Sequence, residues 1–381
     1  MGCTYWVLPH GPQLQRPSCL PFLPASHSAE LKLMSLQMLS YKSKAGKMLY
    51  WGTAIGALLG SLAAGAYVIS PSEWPSALLQ GPFHMEGTSY LVWHIRMPRL
   101  ALGFTVGAGL SVAGAAIQGL FRNPLADPGL IGISSGAMVF AVIGIVAFSS
   151  LPFLGSAQAF LIPLLAFGGS LLSTGLVYRL ATYNGQTRIG AMLLAGVALT
   201  ALGGAIVGLF SYLATEDELR DITFWTLGSL GGVGWKQVLA TLPFVLASTA
   251  WLLRQHQALD LLLLGEREAL YAGLEVQPVK WGIITAAALG VGAGVAACGA
   301  ISFVALVVPH AVRTLQGPSH RGLLPAAALL GGTLLVVADA AARICIAPAE
   351  LPIGIITALL GAPFFLWLLL RQMRSGALPM G

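Results

Sequence analysis

Residues 97–120 read MPRLALGFTVGAGLSVAGAAIQGL, an apolar run in which Arg99 is the only charged side chain. A helix needs about 20 such residues to cross the hydrocarbon core of a bilayer. Glycine and alanine recur along the run, and small side chains let membrane helices approach one another closely. The stretch therefore predicts a helix that spans a membrane and packs against other helices.

Further apolar segments follow the same pattern and predict an all-α polytopic membrane protein of about ten transmembrane helices. The chain of 381 residues is 56% hydrophobic and 9% charged, whereas soluble domains carry about 25% charged residues. So few charges cannot cover a surface that faces water. The predicted segments are 49–70, 97–120, 130–151, 158–181, 191–213, 236–254, 279–299, 300–315, 322–346 and 352–371.

The two ends of the chain differ from this pattern. Residues 1–47 are rich in Pro and Ser, contain no apolar span and lack the layout of a signal peptide. We expect them to be a disordered extension or the result of a wrongly chosen start codon, so that removal of residues 1–37 leaves transport intact. Residues 48–374 are the predicted transmembrane domain, and residues 375–381 are a C-terminal tail.

The basic residues indicate an orientation. When the N-terminus is placed in the cytoplasm, thirteen Lys and Arg residues fall at cytoplasmic ends and five at external ends. This asymmetry follows the positive-inside rule and places both termini inside. The net charge of +6 therefore indicates membrane orientation, and we expect no nucleic-acid partner.

Two segments resemble each other. Val106–Ala115 reads VGAGLSVAGA and Val291–Ala300 reads VGAGVAACGA, with identical residues at six of ten positions. In the predicted topology they run in opposite directions, as in the inverted repeats of transporters. Small-residue helices also resemble one another through packing needs alone, so both interpretations stay open.

Segment 300–315 is too short to span a bilayer unless its ends face protein or a water-filled cavity. It reads ISFVALVVPHAVR over residues 301–313 and places Pro309 next to His310. These two residues are candidates for a transport pathway. A lone histidine beside proline is more commonly structural, and that alternative stays open.

Two connections on the predicted cytoplasmic side carry distinctive residues. RNPLADPGLIGISSG, residues 122–136, contains two helix-breaking X-Pro pairs and predicts either a tight turn or a constriction near the pathway. The loop at about 256–277 has an apolar stripe of Leu270, Tyr271 and Leu274 at helical spacing. Such a surface helix lies on lipid or docks into a partner's groove, and its single basic residue favours a protein partner.

Three of the arginines on the predicted external side lie beside distinctive residues. Arg96 and Arg99 flank Met97-Pro98, and Arg343 follows Asp339 by four residues. The spacing predicts an ion pair between Asp339 and Arg343, with the other arginines as interface anchors. Alternatively, the arginines form a basic rim that receives acidic groups of an external partner.

Four blocks occur in the order known from one protein family. They are IRMPRLALGFTVGAGLSVAGAAIQGLFRNPLADPGLIGISSGA, LLLLGEREALYAGL, GAISFVALVVPHAVR and AELPIGIITALLGAPFFLWLL. With these blocks the chain, from about residue 49 to 371, resembles the permease subunits of type II ABC importers for iron-siderophores, heme and cobalamin.

The resemblance implies an assembly. Members form homodimers of ten-helix subunits in the inner membrane and take two copies of a separate ATPase, which uses ATP and Mg. A periplasmic substrate-binding protein docks outside. The subunit itself is not an enzyme, and it holds no permanently bound cofactor and no metal.

The resemblance also implies residue roles. Arg96 of the R-x-P-R motif and Arg343 of the AD-x-x-AR motif would receive glutamates of the binding protein. Asn123 and Leu125 would form a cytoplasmic gate. The ATPase coupling helix would contain Gly265, Glu266, Arg267, Ala269, Leu270 and Gly273.

The implied cargo is heme, because FWTLGSLGGVGW at residues 224–235 and the block around the NPL turn look most like heme importers. A ferric siderophore or cobalamin is the alternative cargo. A proton-coupled secondary transporter is a further alternative, for which Asp339 is the only candidate relay near a membrane interior.

Overall fold

The computed structural model describes residues 44–65, 67–84, 86–148 and 158–374. Within these ranges the chain forms helices, a 3-10 turn at Pro128–Ile131, and a small antiparallel hairpin of β1 (Thr182–Tyr183) and β2 (Gln186–Thr187). Most of the predicted N-terminal extension and the whole C-terminal tail lie outside the described residues. The helices are α1 (Lys44–Ala63), α2 (Glu73–Gln80), α3 (Gly87–Phe121), α4 (Ile133–Phe148), α5 (Gln158–Ala181), α6 (Ile189–Leu213), α7 (Glu216–Leu227), α8 (Trp235–Arg254), α9 (His256–Leu264), α10 (Glu266–Tyr271), α11 (Val276–Cys298), α12 (Val304–Gln316), α13 (His320–Ile344) and α14 (Ile353–Arg374).

The predicted all-α membrane architecture is confirmed. Among the described residues, six helices are long and apolar enough to cross a membrane, namely α3, α5, α6, α8, α11 and α13. Apolar stretches of α1, α4 and α14 are shorter, and α12 occupies the short eighth segment. The end of the first segment was wrong: it was expected at residue 70, but α1 ends at Ala63.

Helix α3 begins well before the predicted segment and continues through Pro98. Proline lacks an N–H and clashes with the preceding turn of an α-helix. Here Leu91–Arg96 form a π-helical turn, which is wider than an α-helical turn and accommodates the proline. The π pattern would pair the Trp93 carbonyl with the nitrogen of Pro98, which has no proton. The Trp235 indole Nε1 donates to that carbonyl at 2.8 Å instead.

The core is built around α3, which packs against α8, α11, α12 and α13. The repeat segments on α3 and α11 lie side by side, and a Cβ at Gly294 would stand 3.0 Å from Val106 Cγ1. The contacts between α3 and α8 advance in the same direction along both helices, so these two helices are parallel. The contacts between α8 and α11 advance in opposite directions, so these two helices are antiparallel. The two repeat helices therefore run in opposite directions, as predicted for an inverted pair.

A close approach of backbone to backbone in this core occurs at Gly114, and it gives a testable prediction. A Cβ at this position would lie 1.9 Å from the carbonyl oxygen of Ala305 on α12. Gly114→Ala should therefore lower the free energy of unfolding by about 1–3 kcal/mol through overpacking. Thermal unfolding in detergent measures the change. Gly175→Ala on α5 is the matched control, because no atom lies within 4 Å of its added Cβ, and equal stability of both variants would refute this packing.

The helices place two sets of charged residues at opposite ends of the molecule. We call these the Arg343 end and the Lys280 end. Among the residues whose side chains the structure describes, the Lys280 end carries eight basic and five acidic residues, and the Arg343 end carries five basic and eight acidic residues. The basic residues of the Lys280 end are Arg122, Arg179, Arg188, Arg254, Arg267, Lys280, Arg313 and Arg321.

Candidate functional site

An ion cluster occupies the Arg343 end. Arg99 Nε donates to Asp339 Oδ1 at 2.8 Å, and Arg99 Nη1 lies 2.9 Å from both carboxylate oxygens of Glu350. Asp339 Oδ2 also pairs with Arg343 Nε at 3.1 Å, which confirms the predicted i,i+4 ion pair. The cluster joins α3, α13 and the segment before α14. The contacts that Arg99 makes in this cluster were not predicted from the sequence.

Arg96 and Arg343 lie beside each other and beneath the surface, with exposed fractions of 5% and 9%. Arg96 Nη1 donates to the carbonyls of Leu62 and Ala63 at 2.9 and 2.8 Å, and Arg343 Nη1 donates to the Ala64 carbonyl at 2.6 Å. The last carbonyls of a helix have no partner within it, so these arginines hold the end of α1. They do not form an open basic rim, and their docking role stays a prediction.

The predicted gate residues belong to a tight turn at the Lys280 end. Asn123 Oδ1 accepts the Leu125 N–H at 2.9 Å, which closes an Asx turn after α3. Leu125 borders a crevice together with His310 and Phe364, and this crevice is too narrow for a water molecule. The structure thus brings the predicted gate and one predicted pathway residue together.

The predicted pathway pair lies within α12. Pro309 is buried inside the helix, and His310 meets the Phe364 ring of α14 edge-on, with ring centroids 6.3 Å apart. Residues 300–303 before α12 are not helical, and Phe303 has a φ of 68°. A break in helical structure therefore separates α11 from the short helix α12.

This break borders a cavity of about 500 Å³ that sequence reasoning missed. Its walls come from the turn after α3, from α4, from α6 and from the break, and they mix hydroxyl groups with small and apolar side chains. Withdrawal from solvent raises the pKa of the Asp127 carboxyl here, while a hydrogen bond from Gly129 N opposes the shift. The polar lining residues are Asp127, Ser134, Ser135, Thr200 and Ser302.

The predicted coupling helix is shorter than expected, and its apolar stripe was partly wrong. Gly265 adopts a φ of 136° and separates α9 from α10, so the loop forms two helices. Leu270 and Tyr271 are 61% and 88% exposed, and Ala269 is buried. Leu274 follows the end of α10 and packs against the core. The exposed apolar surface of α10 therefore consists of Leu270 and Tyr271, on a helix of six residues.

The remaining residues of this predicted element differ in their surroundings. Arg267 and Gly273 are exposed. Glu266 opens α10, and its Oε2 lies 2.7 Å from Nζ of Lys280 on α11. This ion pair between the loop and a transmembrane helix is not visible in the sequence.

Comparisons with known proteins agree with this architecture. The model of the FecCD transport family matches residues 53–371. The chain is 44% identical to the hemin transport system permease protein HmuU of Yersinia pestis, over 76% of this chain and 87% of that one. It is 41% identical to the vitamin B12 import system permease protein BtuC of Escherichia coli O157:H7, over 84% of this chain and 92% of that one.

A solved structure of a metal-chelate type ABC transporter in an inward-facing conformation also matches. It covers 90% of this chain and 99% of its own, with a TM-score of 0.70 and 31% sequence identity. The chain therefore belongs to the FecCD transport family and is the non-catalytic membrane permease subunit of a type II ABC importer, which acts with an ATPase and a substrate-binding protein.

Proposed function

We propose that this permease moves heme across the bacterial inner membrane as a homodimer, driven by two copies of a partner ATPase. The observation that carries this proposal is the 44% identity to a hemin permease over 76% of this chain. The cobalamin permeases are about as similar, so a cobalamin or ferric-siderophore importer is the second candidate. The chain itself holds no permanent cofactor, and ATP and Mg bind to the ATPase.

The charge distribution supports an orientation. The Lys280 end carries the excess of basic residues, and cytoplasmic loops of membrane proteins carry such an excess. We place this end, with both termini, in the cytoplasm. The coupling helix α10 then faces the ATPase, and the Arg343 end faces the binding protein.

The sparse burial of α6 supports the homodimer. Only 11% of its most apolar window is buried, against 28% for α5 and for α8. Its exposed face includes Gly204 and Gly208, where a second helix can approach closely. A pathway between two copies would then run past α6 and the cavity at the break before α12.

The crevice at Leu125 and His310 supports the proposal that the NPL turn forms a cytoplasmic gate. The cavity lies beside it, and the two share Leu306. The crevice admits no water, so the NPL turn packs closely against α12 at that point. Cargo would pass when the NPL turn moves away from α12.

The ion pairs of Asp339 speak against the proton-coupled alternative. Its carboxylate lies 2.8 Å from Arg99 and 3.1 Å from Arg343. A proton relay needs a carboxylate that can exchange its proton. Here arginines occupy both oxygens of the carboxylate, Arg99 at Oδ1 and Arg343 at Oδ2.

We also propose that Arg96 and Arg343 receive carboxylates of the binding protein, in competition with the carbonyls that end α1. Arg96→Glu combined with Arg343→Glu should weaken docking by about 2 kcal/mol or more while sparing membrane insertion. The affinity of the binding protein for the permease in nanodiscs measures this. Lys236→Glu, an exposed charge at the same end, is the control. Unchanged affinity of the double variant would remove the docking role.

The cargo is tested by competition. Proteoliposomes that hold the permease with its ATPase and its binding protein are offered heme, a ferric siderophore and cobalamin in parallel. We expect uptake of heme, and we expect an excess of the other two not to suppress it. Uptake of cobalamin or of the siderophore in place of heme would reject the cargo while keeping the architecture.

A further inference from the structure

We propose that Lys280 ties the coupling helix α10 to transmembrane helix α11 and to the hairpin β1–β2, so that these three elements move together. This inference rests on the proposed function, in which the ATPase moves α10. Lys280 would then be a positioning residue that carries this motion into the membrane domain.

The geometry places one ammonium group between the three elements. The Lys280 side chain is 1% exposed, and its Nζ lies 2.7 Å from Glu266 Oε2. The same Nζ donates to the Thr187 carbonyl oxygen of the hairpin at 3.1 Å. One buried group therefore contacts α10 and the hairpin from its position on α11.

The hairpin is fixed to α11 by a second contact. Gln277 Oε1 accepts the Thr187 N–H at 3.1 Å, so both backbone groups of Thr187 bond to α11 side chains. Inside the hairpin, the hydroxyl groups of Thr182 and Thr187 lie 2.9 Å apart. The hairpin should thus follow α11 as one unit.

Charge makes the link to α10 hard to break. A buried ammonium is destabilising unless it is paired with an opposite charge and is hydrogen-bonded. If α10 moved away from α11, Lys280 would remain buried without Glu266. Moving both helices together avoids that penalty. A bond to a backbone carbonyl alone would give no such preference.

The preceding helix of the loop has a different attachment. Asp260 on α9 accepts the His320 N–H at 2.8 Å and lies 2.7 Å from His320 Nδ1, at the start of α13. Helix α9 is thereby attached to α13, whereas α10 is attached to α11. Gly265 lies between α9 and α10 and has a φ of 136°. The loop can transmit motion to two transmembrane helices separately, and Lys280 belongs to the α10 branch.

Transport coupling tests the inference. In proteoliposomes of the full complex, the Lys280→Met variant should still bind the ATPase and hydrolyse ATP. Cargo uptake per ATP should fall about tenfold, which is within the range of interaction energies between residues of one ion-pair network. Lys280→Arg keeps the charge and should retain most of the coupling. Glu275→Gln, an exposed acid beside α11, is the control. A wild-type uptake ratio in Lys280→Met would overturn the inference.

A second measurement does not depend on transport. Spin labels at Tyr183→Cys and Leu270→Cys, in a background without native cysteines, report the distance between hairpin and coupling helix. We expect a narrow distribution that broadens in Lys280→Met, and an unchanged distribution would overturn the inference. Absence of ATP-driven uptake in the wild type would reject the proposed function, while this distance would still decide the link.

Discussion

Asp339→Ala should lower the free energy of unfolding by about 3–5 kcal/mol, because it removes one partner from a buried ion-pair cluster. Asp339 is 3% exposed and contacts both Arg99 and Arg343. Without its carboxylate, Arg343 keeps only backbone carbonyls and Ser61 as acceptors. The loss should also loosen the end of α1, which Arg343 holds.

Unfolding of the purified permease in detergent, followed by heat or denaturant, measures the effect. Glu350→Gln is the matched control, because this carboxylate bonds to the same Arg99 but its side chain is 43% exposed. Exposed ion pairs contribute about 0–1 kcal/mol, so this change should be small. Equal effects of the two variants would contradict the account of the cluster as a buried link between helices.

Leu270→Asp combined with Tyr271→Asp should abolish stable binding of the ATPase. These side chains are the exposed apolar residues of α10, at 61% and 88%. Anchors of this kind contribute about 2 kcal/mol or more each when they fill a partner's pocket. The permease should remain folded, since neither side chain belongs to its core.

The affinity of the ATPase for the permease in nanodiscs measures this prediction. Leu219→Asp is the control, because Leu219 is 43% exposed on α7 at the opposite end of the molecule. It should leave ATPase binding unchanged. If the double variant bound the ATPase as tightly as the wild type, α10 would not be the coupling helix.

The membrane helices could be predicted from the sequence because the thickness of the bilayer sets the length of an apolar run. That 300–315 is too short to span could be predicted for the same reason, and α12 has 13 residues. The early start of α3 could not. It depends on a π-helical turn before Pro98 and on the Trp235 indole, which arrives from 142 residues further along the chain.

In the candidate site, too, a contact within one helical turn could be predicted, whereas a contact between distant parts of the chain could not. The pair of Asp339 and Arg343 was predicted because four residues make one helical turn. The contact between Arg99 and Asp339 joins residues 240 positions apart, and no local pattern reveals it. The coupling loop was predicted as a single surface helix, although Gly265 in its middle was a visible signal for a break.

The central claim is that this chain is a permease energised by a partner ATPase. The most direct test reconstitutes it with that ATPase and the binding protein in proteoliposomes, and measures cargo uptake with ATP on the ATPase side or with a proton gradient alone. We predict uptake with ATP, and none with the gradient or without the ATPase. Uptake by the permease alone under a proton gradient would contradict the account.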